Sequence, residues 1–243
     1  AAEPGMSSFG DSHFPFRALR VVRLGDALTL PQHCALFANE WLDALPFHRL
    51  VFERGQWRES GVDVREMPLR EVVLDAPSAE LEPLLERLSS APCDPPEGYR
   101  LDYPLRAERA FEALCGQGWR GALLLLDYGK TWDALLNDTP HGTARAYRAH
   151  RQVGNLLDAP GEQDLTCDLC WDALTAIARA HGFHSVGIER QEALFVTRAE
   201  AVARRIVESP DTPPQTRRAL MALIHPAHFG SRFQGLVGVR DAL

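Results

Sequence analysis

Between Cys34 and Phe52 the chain reads CALFANEWLDALPFHRLVF, an apolar run that meets Asn39 and Glu40, then Asp43, before it turns apolar again. An amide and a carboxylate at the end of a buried segment can hold a cationic or hydrogen-bonding group while the stretch behind them fixes their position. Two carboxylates have a further use. A pair can grip a guanidinium through charge-assisted hydrogen bonds, and one of them can take a proton. The structural alternative is that Asp43 caps a short helix and Glu40 forms an internal ion pair. The residues alone leave both readings open. Acids end two other apolar runs in the same way: LRVVRLGDAL delivers Asp26, and GALLLLDYG delivers Asp127-Tyr128.

Strands must carry these residues. Val21–Leu24, Leu36–Ala38, Leu123–Leu126 and Phe183–Ile188 are apolar at successive positions, as strands buried on both faces of a parallel sheet are. Three helices alternate with them. SAELEPLLERLSSA has Pro83 in its first turns, YPLRAERAFEALCGQG has Pro104 placed to start it, and DLCWDALTAIARAHG ends near Gly182. This alternation predicts an α/β domain with a mainly parallel sheet, whose ligands bind beyond the carboxyl ends of the strands. That rule puts Asp26, Asn39-Glu40 and Asp127-Tyr128 on one edge. The four strands are expected side by side. PFHRLVFERGQWRESGVDV signals a hairpin around Arg54-Gly55, expected to lie outside that order. Residues 1–19 read as irregular, residues 47–100 as an inserted hairpin and helix, and the stretch between Gly129 and Asp168 as a long polar loop.

Composition bounds the function. A chain of 243 residues with 45% hydrophobic residues can bury a sizeable core, and residues 1–243 are read as a single domain. The net charge of −7 comes without a basic cluster interleaved with aromatics, which disfavours an extended nucleic-acid footprint. Lys130 is the only lysine. The five cysteines, an odd number, do not form a disulfide framework, so a reducing, cytoplasmic setting is expected. No apolar run approaches the roughly 20 residues of a membrane span, and no secretory signal opens the chain. Cys167 and Cys170 form a lone CxxC pair, better read as helix-entry residues than as a zinc or redox site.

Four ordered segments and a closing strand resemble the MidA-like methyltransferases, a family with a mitochondrial branch that serves respiratory complex I assembly. FANEWLDALPFHRLVFERGQWRE is similar to the family's Asn-Glu-x-x-Asp-Ala-x-Pro segment, and GALLLLDYG to its Asp-Tyr-Gly strand. HGTARAYRAHR resembles its Gly-Thr-x-x-x-Tyr-x-x-His loop, DAPGEQDLT its Asp-x-Pro-Gly-x-x-Asp-Leu-Thr turn, and HFGSRFQGLVGVRD its closing strand. The resemblance implies a Rossmann-like class I fold, S-adenosylmethionine as cofactor and a protein arginine as methyl acceptor. It places Asp26 near the adenine, Asn39 and Glu40 near the sulfonium, and Asp43 with Glu40 as the catalytic carboxylates.

Two departures stand out. CDLCW puts Asp168 and Cys170 where the family has His and Asp, and no Gly-rich strand-to-helix turn for the methionine half of the cofactor occurs in the 243 residues. The chain starts at Ala1 rather than methionine, so an upstream continuation carrying that turn is one expectation. A catalytically silent module that binds a partner protein through the same fold is the other. The polypeptide of 243 residues is expected to bind S-adenosylmethionine weakly or not at all. Titration calorimetry checks this, and tight binding would show that the missing turn is dispensable.

Overall fold

The computed structural model describes residues 28–92, 94–149, 151–230 and 232–241. The strand expected over Val21–Leu24, and Asp26 after it, lie outside these residues. Ala1–Pro31 and Gln32–Leu243 are separate units. In the first, residues 28–31 have no regular structure; every element below belongs to the second.

The chain runs from β1 (His33–Asn39) into β2 (His48–Glu53), β3 (Gln56–Asp63) and β4 (Arg70–Val73). There follow α1 (Glu82–Ser89), β5 (Arg100–Tyr103), α2 (Leu105–Cys115) and β6 (Arg120–Asp127). The stretch expected as a polar loop instead holds β7 (Gly129–Lys130), α3 (Trp132–Asn137), β8 (Arg145–Arg148), β9 (Arg151–Val153) and β10 (Asp164–Thr166). These elements are too short to leave a periodic signature in the sequence. Next come β11 (Leu169–Cys170), α4 (Trp171–Ala180) and β12 (His184–Arg190). Then α5 (Gln191–Thr197), α6 (Glu200–Glu208), α7 (Pro214–Ile224) and β13 (Gln234–Arg240) complete the fold.

The helices form where sequence spacing permits one buried face. In α2, Ala107, Phe111, Leu114 and Cys115 are buried, with Pro104 at the N-cap. Trp171, Leu174 and Ala178 play that part in α4, and the two helices pack on each other.

The central sheet has the order β1-β6-β13-β12. β1 and β6 are parallel, with Leu36 opposite Leu123 and Asn39 opposite Leu126. β13 is antiparallel to both β6 and β12. Phe183–Ile188, expected beside Leu123–Leu126, is therefore one strand further out. β13 occupies the place between, where its Gly235–Gly238 run is buried. At Gly235 a Cβ would come within 2.3 Å of Leu194 and 2.9 Å of Leu126 side-chain carbons, so the bare backbone is what fits there.

A second, fully antiparallel sheet has the order β4-β3-β2-β5. The segment expected as a hairpin and helix thus contributes β4 as well, and β5 starts at its last residue. The hairpin turn falls at Arg54-Gly55, whose Arg54 N–H donates to both Glu97 carboxylate oxygens at 3.1 Å. Leu50 and Leu101 of this sheet bury themselves against Leu84 and Leu88 of α1 and Leu135 and Leu136 of α3. Burying such side chains stabilises each by about 1.5–3 kcal/mol.

On β5, Asp102 is fully buried and receives the N–H groups of Thr143 and Ala144, each at 2.7 Å. Gly142 precedes them at φ +77, and a Cβ there would lie 2.2 Å from Asp102 Oδ2. Gly98 has a similar φ of +81 with open space around it. Gly98→Ala should therefore lose only the left-handed strain, about 1–2 kcal/mol. Gly142→Ala should lose at least about twice that by displacing Asp102. Urea denaturation of both variants checks the difference, and equal losses would remove Asp102 as the constraint on this loop.

Candidate active site

The parallel register brings the carboxyl ends of β1 and β6 level, and the Glu40 N–H extends the ladder by donating to Leu126 O at 3.0 Å. Glu40 then takes φ +45, turning the chain off the sheet. Asn39 and Glu40 are both exposed, and Asn39 Nδ2 donates to Glu40 Oε1 at 3.2 Å. The residues that follow form a turn, with Leu45 N–H donating to Leu42 O at 3.2 Å, and no helix. Asp43 therefore has no helix to cap.

Asp43 goes inward instead. It is 3% exposed and Asp127 is 0% exposed. Asp127 Oδ2 accepts the N–H groups of Leu42 at 3.2 Å and Asp43 at 3.4 Å, while Oδ1 accepts that of Tyr128 at 2.9 Å. The Asp43 and Asp127 carboxyls lie close enough for their charges to couple. Its Oδ1 has no partner among the described residues. Burial, followed by the charge of Glu40, pushes Asp43 above the usual carboxylate range; burial, followed by the charge of Asp43, pushes Asp127 the same way. Two buried carboxyls in contact cannot both ionise freely, so the pair holds one proton into the neutral range.

A second chain of contacts supports the edge from the other side. Arg49 of β2 makes a two-pronged bond to Asp102, at 2.7 Å and 3.1 Å. Thr143, anchored on Asp102, accepts the Asp168 N–H through Oγ1 at 3.1 Å. Asp168 pairs with Arg145 at 2.5 Å, and the Arg145 guanidinium stands 5.2 Å from the Tyr128 ring. Arg145 Nε is buried without a partner among the described residues. Tyr128 also packs on Phe233, with ring centroids 4.2 Å apart. Burial first and Glu40 second push its phenol up to about 12, so it stays neutral and can donate a hydrogen bond. Beyond Tyr128, on the β13 side, a cavity of about 1070 Å³ is lined by Arg145, Tyr147, Asp168, Trp171 and Gln234 among others. Trp171 Nε1 donates to Gln234 Oε1 at 2.6 Å.

Of the residues the sequence marked, the structure brings Asn39 and Glu40 to the expected strand end and places Asp43 beneath them. Asp26 lies outside the described residues. Asp127 ended an apolar run, which marked it as an edge residue but not as a buried one. Arg145 carried no signal beyond its place in the Gly-Thr loop. Asp168, standing where the family has His, serves as the partner of Arg145. Cys167 and Cys170 are fully buried, and burial raises both thiols, Cys170 to about 12, so neither is a ready thiolate. Among the described residues no group of three His, Cys, Asp or Glu side chains is placed to hold a metal ion, and no helix is long and apolar enough to cross a membrane.

The α/β architecture is Rossmann-like, and solved structures share it. An uncharacterized Burkholderia thailandensis protein matches with a TM-score of 0.73 and 25% identity over 88% of this chain and 58% of its own. Another member of its superfamily from that organism, bound to S-adenosyl-homocysteine, matches with a TM-score of 0.71 and 23% identity over 88% of this chain and 56% of its own. The S-adenosyl-L-methionine-dependent methyltransferase family profile matches residues 19–189, and the chain belongs to that family. The "Protein arginine methyltransferase NDUFAF7 homolog, mitochondrial" of Drosophila melanogaster is 29% identical over 247 residues, covering 96% of this chain and 52% of the relative. The "Protein arginine methyltransferase NDUFAF7, mitochondrial" of Danio rerio is 27% identical over 227 residues, covering 84% and 47%. The chain spans about half the length of these curated relatives.

The carboxyl pair predicts a pH dependence. Both folded pKa values are raised, so their contribution to stability is full below the ordinary carboxylate pKa of about 4. It is lost as the pH climbs through the folded values, to about 7 for Asp127. Asp127→Asn removes the like charge but leaves one backbone N–H set poorly accepted, at a cost of about 1–3 kcal/mol. The variant should be less stable at pH about 5, with a flatter decline toward pH about 8. Denaturation at both pH values checks this; a decline as steep as in the parent would assign the dependence to other groups.

Proposed function

We propose that the whole protein transfers a methyl group from S-adenosylmethionine to an arginine side chain of a protein, in the setting of respiratory-complex assembly that the family resemblance implies. Family membership supports the cofactor, and the names of the curated relatives support the acceptor. The observation that carries the reading is an exposed carboxylate, Glu40, held at the carboxyl end of β1 above the buried Asp43–Asp127 pair.

The described residues fit the part of the cofactor nearest the methyl group: Glu40 offers negative charge to a sulfonium cation, and the orphaned Asp43 Oδ1 offers a further acceptor. Asn39 adds an amide beside Glu40. Asp26 remains our assignment for the adenine end. When bound, S-adenosylmethionine supplies an electrophilic methyl group. Glu40 can accept two guanidinium N–H groups and so aim one nitrogen. Methylation of that nitrogen releases a proton, and Glu40 is placed to take it. Asp43 acts by fixing the turn behind Glu40 and by adding negative potential beneath it. Tyr128, kept neutral, closes the wall toward the cavity without adding charge. The unpaired cysteines fit our proposal of a reducing, cytoplasmic setting. A catalytically silent module that binds a partner protein through the same fold is the second reading.

Glu40→Gln in the full-length protein keeps the shape and removes the charge. Single-turnover methyl transfer should fall by about 10²-fold or more, with cofactor affinity little changed. Asp43→Asn should lose less. Unchanged transfer in Glu40→Gln together with lowered thermal stability would assign Glu40 to structure, and no transfer by the parent to any arginine acceptor would favour the silent module.

A further inference from the structure

The cavity beyond Tyr128 carries a charge opposite to that of the chain. The whole chain has a net charge of −7, yet Lys130, Arg145, Arg179, Arg190 and Arg232 line this cavity against two carboxylates, Asp168 and Asp172. Both carboxylates are already engaged: Asp168 pairs with Arg145, and Asp172 Oδ2 accepts the Trp132 N–H at 2.6 Å at the start of α3. With the Asp168–Arg145 pair set aside, four cations face the single remaining charge of Asp172. Among the described residues Arg190 has only Glu192, at 4.0 Å, in ion-pair range, and Arg179 donates to the Val186 carbonyl at a long 3.4 Å. Arg179, Arg190 and Arg232 are exposed. Lys130, the only lysine of the chain, follows Tyr128-Gly129 at the mouth of the cavity.

The sheet order gives this charge a direction. Glu40 ends β1, Asp127-Tyr128 follow β6, and Gln234 and Arg190 stand level with Asp127 across β13 and β12. An extended peptide with its arginine at Glu40 would pass over Tyr128 and lay its neighbouring residues in the cavity. At about 1070 Å³ the space lies at the upper end for small-molecule pockets and suits several side chains. Guanidinium forks match carboxylates in pairs.

We propose that this cavity recognises acidic side chains flanking the acceptor arginine, so that the preferred substrate is an arginine within an acidic segment. The proposal rests on the arginine-methylation reading above for the identity of the central residue. It also accounts for the division of charge: carboxylates at the β1 end for the guanidinium, cations at the β12 end for its neighbours.

The test uses the full-length protein and two fluorescein-labelled peptides, each with one arginine between glycines, flanked by glutamates in one and glutamines in the other. Anisotropy should show about tenfold tighter binding of the glutamate peptide, the sum of two or three exposed ion pairs, with the advantage shrinking as salt is raised. The double variant Arg179→Glu/Arg190→Glu should abolish the preference, and Arg179→Gln/Arg190→Gln should halve it on a logarithmic scale. In methyl transfer the double variant should raise KM about tenfold for the glutamate peptide and leave kcat unchanged. Equal binding of the two peptides, a preference that survives both double variants, or displacement of the glutamate peptide by equimolar oligouridylate would overturn the proposal. Charge-dependent binding without transfer would sink the methyltransferase reading and leave the cavity assignment standing. Transfer to both peptides with equal KM would do the reverse.

Discussion

A carboxylate with no exposed surface holds the edge of this sheet together. Asp127 stands at the end of β6 and takes three backbone N–H groups, two from the turn after β1 and one from its own successor. Those N–H groups belong to a chain that has just left a strand and has no ladder partner, so the carboxylate supplies what the sheet no longer can. The position of Glu40 depends on it. Without Asp127 the N–H groups of Leu42 and Asp43 would have to find other acceptors, and Glu40 would be held chiefly by its own N–H bond to Leu126 O. Burial is also what makes Asp43 and Asp127 hold one proton, since two adjacent charges out of water cost more than one.

A second buried acid does similar work at the inserted sheet. Asp102 ties Arg49 of β2 to the Thr143–Ala144 backbone, and from there contacts pass through Asp168 and Arg145 to Tyr128. The insertion is thus more than an appendage: through this path it sets the wall that divides the acidic end of the site from the basic cavity. Every link is a charge-assisted or backbone hydrogen bond or a ring contact, of the kind that fixes geometry when each group is satisfied. Arg145 Nε, on that path, is buried without a partner among the described residues.

The sequence showed the strands β1, β6 and β12 and the helices α2 and α4 because their apolar runs are long and their periods clear. It showed Asn39 and Glu40 because a polar pair ending an apolar run is visible without coordinates. Sheet order was not visible in that way: nothing in the period of GLVGV says that β13 enters between β6 and β12. The elements between Gly129 and Asp168 were missed because strands of two to four residues and a helix of six residues leave no pattern. Asp43 looked like a helix cap or a pocket acid; its partnership with Asp127 spans 84 positions and depends on the parallel register, which only the folded chain reveals.

A crystal structure of the whole protein with S-adenosylhomocysteine and an arginine peptide tests this account most directly. It should place the thioether sulfur beside Asn39 and Glu40, with the peptide guanidinium on Glu40 and the Asp43–Asp127 contact intact beneath. A sulfur bound away from the end of β1, with Glu40 left in solvent, would contradict the assignment of this edge as the site of methyl transfer.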